Sequence, residues 1–301
     1  MRISTQMMQR NAVTSILDRQ VDLNRTQQQL ASGKKILSPA EDPSGTTQLL
    51  NLQQKLDQSV QYQSNIDRLT SRLEVEETVI SSVGDTLQRV RELAVQGLSD
   101  SNGQENRKAI AAEVWQKLDE LFDLANSKDG GGEYLFSGFQ SQTPAFVDLG
   151  GGNYQYNGDQ GQRQLQISST RSVQSSDSGS SIFENLDSLA AGGKQDIFKT
   201  IYDFATALEA DNPAGNVLAD IDTAMDKLFQ VRAEIGGRIN AVDAQAQINE
   251  QFDVQVKSIM SGIQDLDYAE AIGRLNLELA GLQAAQSSFQ KVQNLSLFNF
   301  L

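Results

Sequence analysis

The sequence predicts a mainly α protein with a β insertion. It reads as a long, coiled-coil-like antiparallel helical rod, a terminal helix pair, and a small β domain inserted in the middle. Three observations predict this. Ile66, Leu69, Leu73, Glu76, Ile80, Val83, Leu87, Val90 and Ala94 keep one 3-4 spacing, and eight of the nine are apolar. Fourteen positions from Ile221 to Leu266 keep a second such register without a break. Between them lie short, aromatic-rich, alternating segments punctuated by glycine clusters. A 3-4 repeat held over several heptads marks helices packed along a seam. Alternation between glycine clusters marks strands and hairpins.

Residues 3–32 read as a weakly apolar helix. Val13, Ile16, Leu23 and Leu30 share a frame into which Gln20 and Gln27 also fall, and Ile3, Met7, Leu17 and Val21 widen the stripe. Gly33 fits a helix stop. The stretch GKKILSPAEDPSG, residues 33–45, holds two of the four prolines and reads as a turn-rich connector. A helix over roughly 44–97 follows, about 80 Å long at 1.5 Å per residue. Gly84 inside it costs ~1 kcal/mol against Ala. After SDSNG, a helix near 105–127 presents Ile110, Val114, Leu118, Leu121 and Ala125.

From Asp129 the pattern changes. GGGEYLFSGF, AFVDL, NYQYNGDQG and RQLQIS are the expected strand segments, and the β region is expected to close near Asp177–Ser181. Helix is expected again over about 194–209, with Asn212-Pro213 as its break. The second long register is Ile221, Ala224, Leu228, Val231, Ile235, Arg238, Val242, Gln245, Asn249, Phe252, Val256, Ile259, Ile263 and Leu266.

The last stretch restarts the pattern. Ile272, Leu275, Leu279, Leu282 and Phe289 repeat at 3-4 spacing with Gln286 in frame, and Lys291 is the only charged side chain from Leu279 onward. Continuing the earlier register would put Glu270 and Gly273 in the seam. The frame therefore slips between Asp267 and Ala271, which reads as a boundary between two packing environments on one nearly continuous helix. Three modules result: 1–40 with 268–301, a terminal helical assembly module; 41–128 with 182–267, a long-helix rod; and 129–181, an inserted β domain.

Composition narrows the function. Twenty-five Lys/Arg against 39 Asp/Glu leave a net charge of −14, which argues against nucleic-acid and anionic-membrane partners. There is no Cys and no His, so thiol nucleophiles, imidazole bases and most zinc sites are excluded. No cleavable-signal pattern and no run near ~18 apolar residues stands out. Glu76/Glu77 and Glu41/Asp42 read as a solvated helix face and as a turn or cap. Gly150-Gly151-Gly152 and Asn157-Gly158-Asp159 lack the phosphate-loop and calcium-loop patterns and read as hairpin turns. Trp115 reads as packing. No catalytic, cofactor-binding or metal-binding constellation emerges, so no enzyme activity and no cofactor are expected.

The terminal seam points to assembly instead. It offers few large apolar side chains for its length, and isolated helices are marginal in water. The terminal helices are therefore expected to be mostly disordered in the free chain and to order when copies or partners bury them. The candidate assembly surface is Ile3, Met7, Leu17, Ile272, Leu275, Leu279, Leu282 and Phe289.

Several motifs carry a family resemblance. They are Met1-Arg2-Ile3-Ser4-Thr5 with Met7, Ser38-Pro39-Ala40-Glu41-Asp42-Pro43-Ser44-Gly45, and Gly132-Glu133-Tyr134-Leu135-Phe136-Ser137-Gly138. Thr143-Pro144-Ala145-Phe146 and the ending Leu295-Ser296-Leu297-Phe298-Asn299-Phe300-Leu301 complete the set. Over nearly its whole length the chain resembles the flagellin-like axial proteins of bacterial flagella, and within them the hook–filament junction branch. The resemblance implies an extracellular, flagellar protein exported unfolded without a cleaved signal. It implies a ring of copies between hook-associated protein 1 and the flagellin filament. It also implies an export chaperone. Leu297, Phe298, Phe300 and Leu301 would be the chaperone's handle or an inner-tube contact. The alternatives are a flagellin filament subunit and a cytosolic coiled-coil scaffold.

Overall fold

The computed structural model describes the backbone of residues 5–189 and 191–297 and the side chains of 7–189 and 191–291. Its elements are α1 (Thr5–Ser32), α2 (Pro43–Gly97), α3 (Gln104–Ala125), β1 (Phe146–Asp148), β2 (Tyr154–Tyr156), β3 (Gln164–Gln166) and β4 (Ser172–Gln174). Then come α4 (Gly179–Phe183), β5 (Leu186–Ser188), β6 (Gly193–Gln195), α5 (Ile197–Glu209), α6 (Val217–Gln264) and α7 (Tyr268–Leu297). The class is mainly α with a β insertion, as the registers require. The chain forms two compact units, Ser59–Glu250 and Met1–Gln58 with Gln251–Leu301.

In the unit 59–250 the predicted seams are the core. Leu69, Leu73, Ile80 and Val83 of α2 are fully buried, with Leu121 of α3 and Ile221 and Ile235 of α6. Each such side chain contributes roughly 1.5–3 kcal/mol of gross burial energy. Polar pairs across the helices fix their directions. Arg91 pairs with Asp222 at 2.6 Å and Glu77 with Arg232 at 2.6 Å, so α2 and α6 run antiparallel. Arg89 meets Glu113 and Thr86 meets Glu120, so α3 folds back along α2. Trp115 packs edge-on to Tyr202 of α5, and its indole N–H donates to Glu209 at 2.8 Å.

Among the described residues, 129–181 holds two antiparallel two-stranded hairpins, β1–β2 and β3–β4, and a third, β5–β6, follows. The third lies beyond the expected close of the β region and occupies residues where helix was expected from Lys194. Asp196 explains the later helix start: its carboxylate accepts the Lys199 N–H at 2.6 Å and caps α5. The YLFSG segment is not a strand. Leu135, Phe136, Ser137 and Gly138 are buried in turns, and Gly138 adopts φ +67° against the Asp159 backbone. Phe198 of α5 anchors the insertion, with ring centroids of Phe146 at 5.0 Å, Tyr154 at 5.2 Å and Phe183 at 5.7 Å.

Glu76 is also not where the sequence reading places it. It is buried in the α2 seam rather than solvated beside Glu77. The apolar register around it carries it inward whatever its charge.

In the other unit, α1 pairs with α7. The single nearly continuous helix expected across residues 221–301 is interrupted at Asp265–Asp267. Asp267 caps the new start, accepting the N–H groups of Ala269 and Glu270 at 2.9 and 3.2 Å. Asp42 does the same for α2, accepting Gly45 N–H at 2.8 Å with Pro43 at the first helical position. The two interruptions are stitched together: Lys35 N–H donates to Gln264 O at 2.7 Å and Leu266 N–H to Gly33 O at 3.0 Å.

Candidate assembly surface

The α1–α7 pair is built on one side of each helix. On α1, Leu23, Thr26 and Gln29 are buried, with Ala12, Ile16 and Leu30 half-buried in the same stripe. On α7, Ala271 is buried and Leu275, Glu278, Leu282, Ala285 and Phe289 are half-buried. Polar contacts tie the two helices together. Thr26 donates its hydroxyl to Glu278 at 3.0 Å, and Arg274 donates to Gln29 Oε1 at 3.3 Å. The Gln29 amide also donates to the Lys35 carbonyl at 2.7 Å, joining α1 to the connector. Sequence reading missed Gln29, Arg274 and Glu278. A polar residue at an in-frame helix position was the available signal.

The predicted site residues divide. Leu275, Leu282 and Phe289 turn inward with the α1-facing side of α7. Ile272 and Leu279 are 50% and 37% exposed, on a second stripe about a quarter turn round the helix. On α1, Met7 and Leu17 are exposed, and Val13 and Val21 join them on the face opposite the buried stripe. Ile3, Phe298, Phe300 and Leu301 lie outside the described residues, as does the side chain of Leu297.

Mostly disordered terminal helices were expected in the free chain. In the single chain α1 and α7 instead form a helical pair. The reason is visible in the contacts. The seam is apolar at Leu23, Leu275 and Leu282, and it gains the Thr26–Glu278 and Gln29–Arg274 links that a count of apolar side chains omits. Apolar side chains nonetheless remain exposed on both helices: Met7, Val13, Leu17 and Val21 on α1, and Ile272, Leu277 and Leu279 on α7.

Among the described residues no His, Cys, Asp or Glu group could hold a metal ion, and no helix is long and apolar enough to cross a membrane. The clearest electrostatic departures lie away from the terminal pair. Burial pushes the Tyr154 and Tyr156 phenols up to about 12 each.

Long helices packed along apolar seams, with α1 and α7 paired and apolar side chains exposed on both, define a mainly helical structural protein. Residues 3–141 match the family model of the bacterial flagellin N-terminal helical region, and residues 218–301 match that of the bacterial flagellin C-terminal helical region. The chain belongs to this flagellin family. Within it, the chain is similar from end to end to flagellar hook-associated protein 3. Identity is 27% to that of Salmonella typhimurium strain LT2 and 26% to that of Escherichia coli K12, with 99% of each chain covered in both comparisons. A solved structure of a hook-associated protein from Vibrio parahaemolyticus, described there as putative, superposes with TM-score 0.66 at 25% identity. It covers 75% of this chain and 100% of that one.

Proposed function

We infer that this chain is a structural junction protein of the bacterial flagellum. It associates with other flagellar components and works in the flagellum itself. It forms a ring adaptor between hook-associated protein 1 and the flagellin filament. Packing of terminal helices joins its copies, and a chaperone holds the chain before export. The single observation that carries this reading is the divided α7 surface: one stripe serves α1, and Ile272 and Leu279 are left for a neighbour. In this reading residues 1–40 with 268–301 assemble, 41–128 with 182–267 carry them, and 129–181 is the inserted β region. End-to-end similarity to hook-associated protein 3 and the short insertion favour a junction role over a filament subunit.

The test is a strain lacking the gene, complemented with the unmodified protein or with Leu279→Asp. Electron microscopy of the deletion strain should show hooks without filaments and flagellin shed to the medium. Leu279→Asp should fail to restore filaments although the purified variant melts like the parent. Motile flagella built with Leu279→Asp would sink the assignment of this stripe. Long filaments grown from the purified protein alone under mild salt would instead mark a filament subunit.

A further inference from the structure

A buried carboxyl group outside the α1–α7 pair lies where the β insertion meets α2. Glu76 is 1% exposed in the apolar seam. Its Oε1 accepts the backbone N–H of Asp177 at 3.0 Å, and its Oε2 has no hydrogen-bond partner. The charged groups that act on it, Asp177, Arg238 and Arg72, each have a counterion already. Asp177, in the segment after β4, pairs with Arg238 of α6. Arg72, one turn before Glu76 on α2, pairs with Asp129 and lies 3.6 Å from Glu133. Glu133 also holds Arg163 at 2.7 Å. Glu77 is paired with Arg232 of α6. The chain has no histidine. Arg72 Nε and Nη2 and Arg238 Nη1 remain without partners, so no guanidinium hydrogen-bonds Glu76 Oε2.

A charge on Glu76 would therefore be an extra, unmatched carboxylate in a buried, largely apolar seam. Buried charges of that kind are costly, and the group takes up a proton instead. We propose that Glu76 is a protonated carboxylic acid at neutral pH and acts as a proton-dependent latch that seats the 175–178 segment on α2.

The electrostatics agree in direction. Burial, then the charge of Asp177, push the Glu76 carboxyl up to about 8, against the opposing pull of the Asp177 N–H, Arg238 and Arg72. A carboxyl raised in the folded state binds its proton there while the unfolded chain has released it. Its contribution is complete below about 4.5 and is lost as pH rises toward about 8. Through that window the folding equilibrium constant falls up to roughly tenfold per pH unit from this group alone.

The experiment uses the full chain. Carboxyl carbons of 13C-labelled glutamate are followed by NMR through a pH titration, with Glu76 assigned by through-bond correlation to its backbone. One resonance should titrate above neutrality, and it should be absent in Glu76→Gln. Thermal and urea unfolding of parent and Glu76→Gln should diverge as pH rises from 5 to 8, the parent losing stability relative to the variant. Titration of Glu76 in the ordinary carboxylate range overturns the proposal, as do parallel pH–stability curves. If Glu76→Gln does not fold, the NMR titration of the unmodified protein decides by itself.

Discussion

The Tyr268 hydroxyl oxygen lies 2.8 Å from the point where a Cβ on Gly33 would sit, and Gly33 holds φ +70°. Both facts bear on one substitution. Gly33→Ala should destabilise the terminal pair by about 1–2 kcal/mol, from left-handed backbone strain and from contact with the phenol. Adding Tyr268→Phe should restore the steric share and leave the backbone share. Amide hydrogen exchange over residues 26–35 measures both.

Removal of residues 272–301 should lower helical circular dichroism while leaving the main thermal midpoint within a few degrees. The buried seams of α2, α3, α5 and α6 belong to the unit 59–250, and α7 belongs to the other. A large fall in the main midpoint would place α7 in the chain's own core and remove the basis of the assembly reading.

Phe198 touches Phe122, Phe146, Tyr154 and Phe183. Phe198→Ala should cost about 3–5 kcal/mol, since it deletes a fully buried ring at the meeting point of α3, α5 and the insertion. Urea unfolding gives the value directly. A cost below about 1 kcal/mol would mean that the insertion collapses onto the space.

Asp220 on α6 holds the turn of the β5–β6 hairpin, accepting Ser188 Oγ at 2.8 Å and Leu189 N–H at 2.6 Å. Asp220→Ala leaves the buried Ser188 hydroxyl and the part-buried Leu189 N–H without this acceptor and should cost about 1–3 kcal/mol. Proteolysis near residues 186–195 should then be faster than in the unmodified chain.

The Tyr156 hydroxyl lies 2.9 Å from the carbonyl oxygen of Phe136 and 2.7 Å from that of Asp159, and shares its one proton between them. With its phenol pushed up to about 12, the folded chain keeps a proton that the unfolded chain releases near 10. This stabilising contribution is complete below about 10 and is lost as pH rises toward about 12. Ultraviolet titration should show two late phenolates, those of Tyr154 and Tyr156, and Tyr156→Phe should remove one of them. Absence of the one from Tyr156 would show that the hydroxyl is more solvated than its contacts imply.

The long seams were legible because their spacing is regular and their residues apolar. Leu69, Leu73, Val83 and Ile235 are buried where the register puts them. The break before α7 was visible only as a shift of frame, because Asp265 and Asp267 look like any helix-surface carboxylates. The β5–β6 hairpin was not legible: three-residue strands give alternation too little length, and their hold comes from Asp220, 31 residues from Leu189. Glu76 was read by chemical type when its place in the repeat was the better guide. On α7 the periodicity was right, but 3-4 spacing admits two neighbouring stripes, and only contacts with α1 distinguish Leu275 and Leu282 from Ile272 and Leu279.

Thr26 and Glu278 touch although 252 positions separate them in the chain. Contacts of such sequence separation are the slowest to form, because a long stretch must be closed before any reward returns. As the chain emerges from its N-terminus, α1 must wait for almost every other residue before its partner exists. The topology thus sets a timetable: the unit 59–250 can fold first, and the two ends meet last.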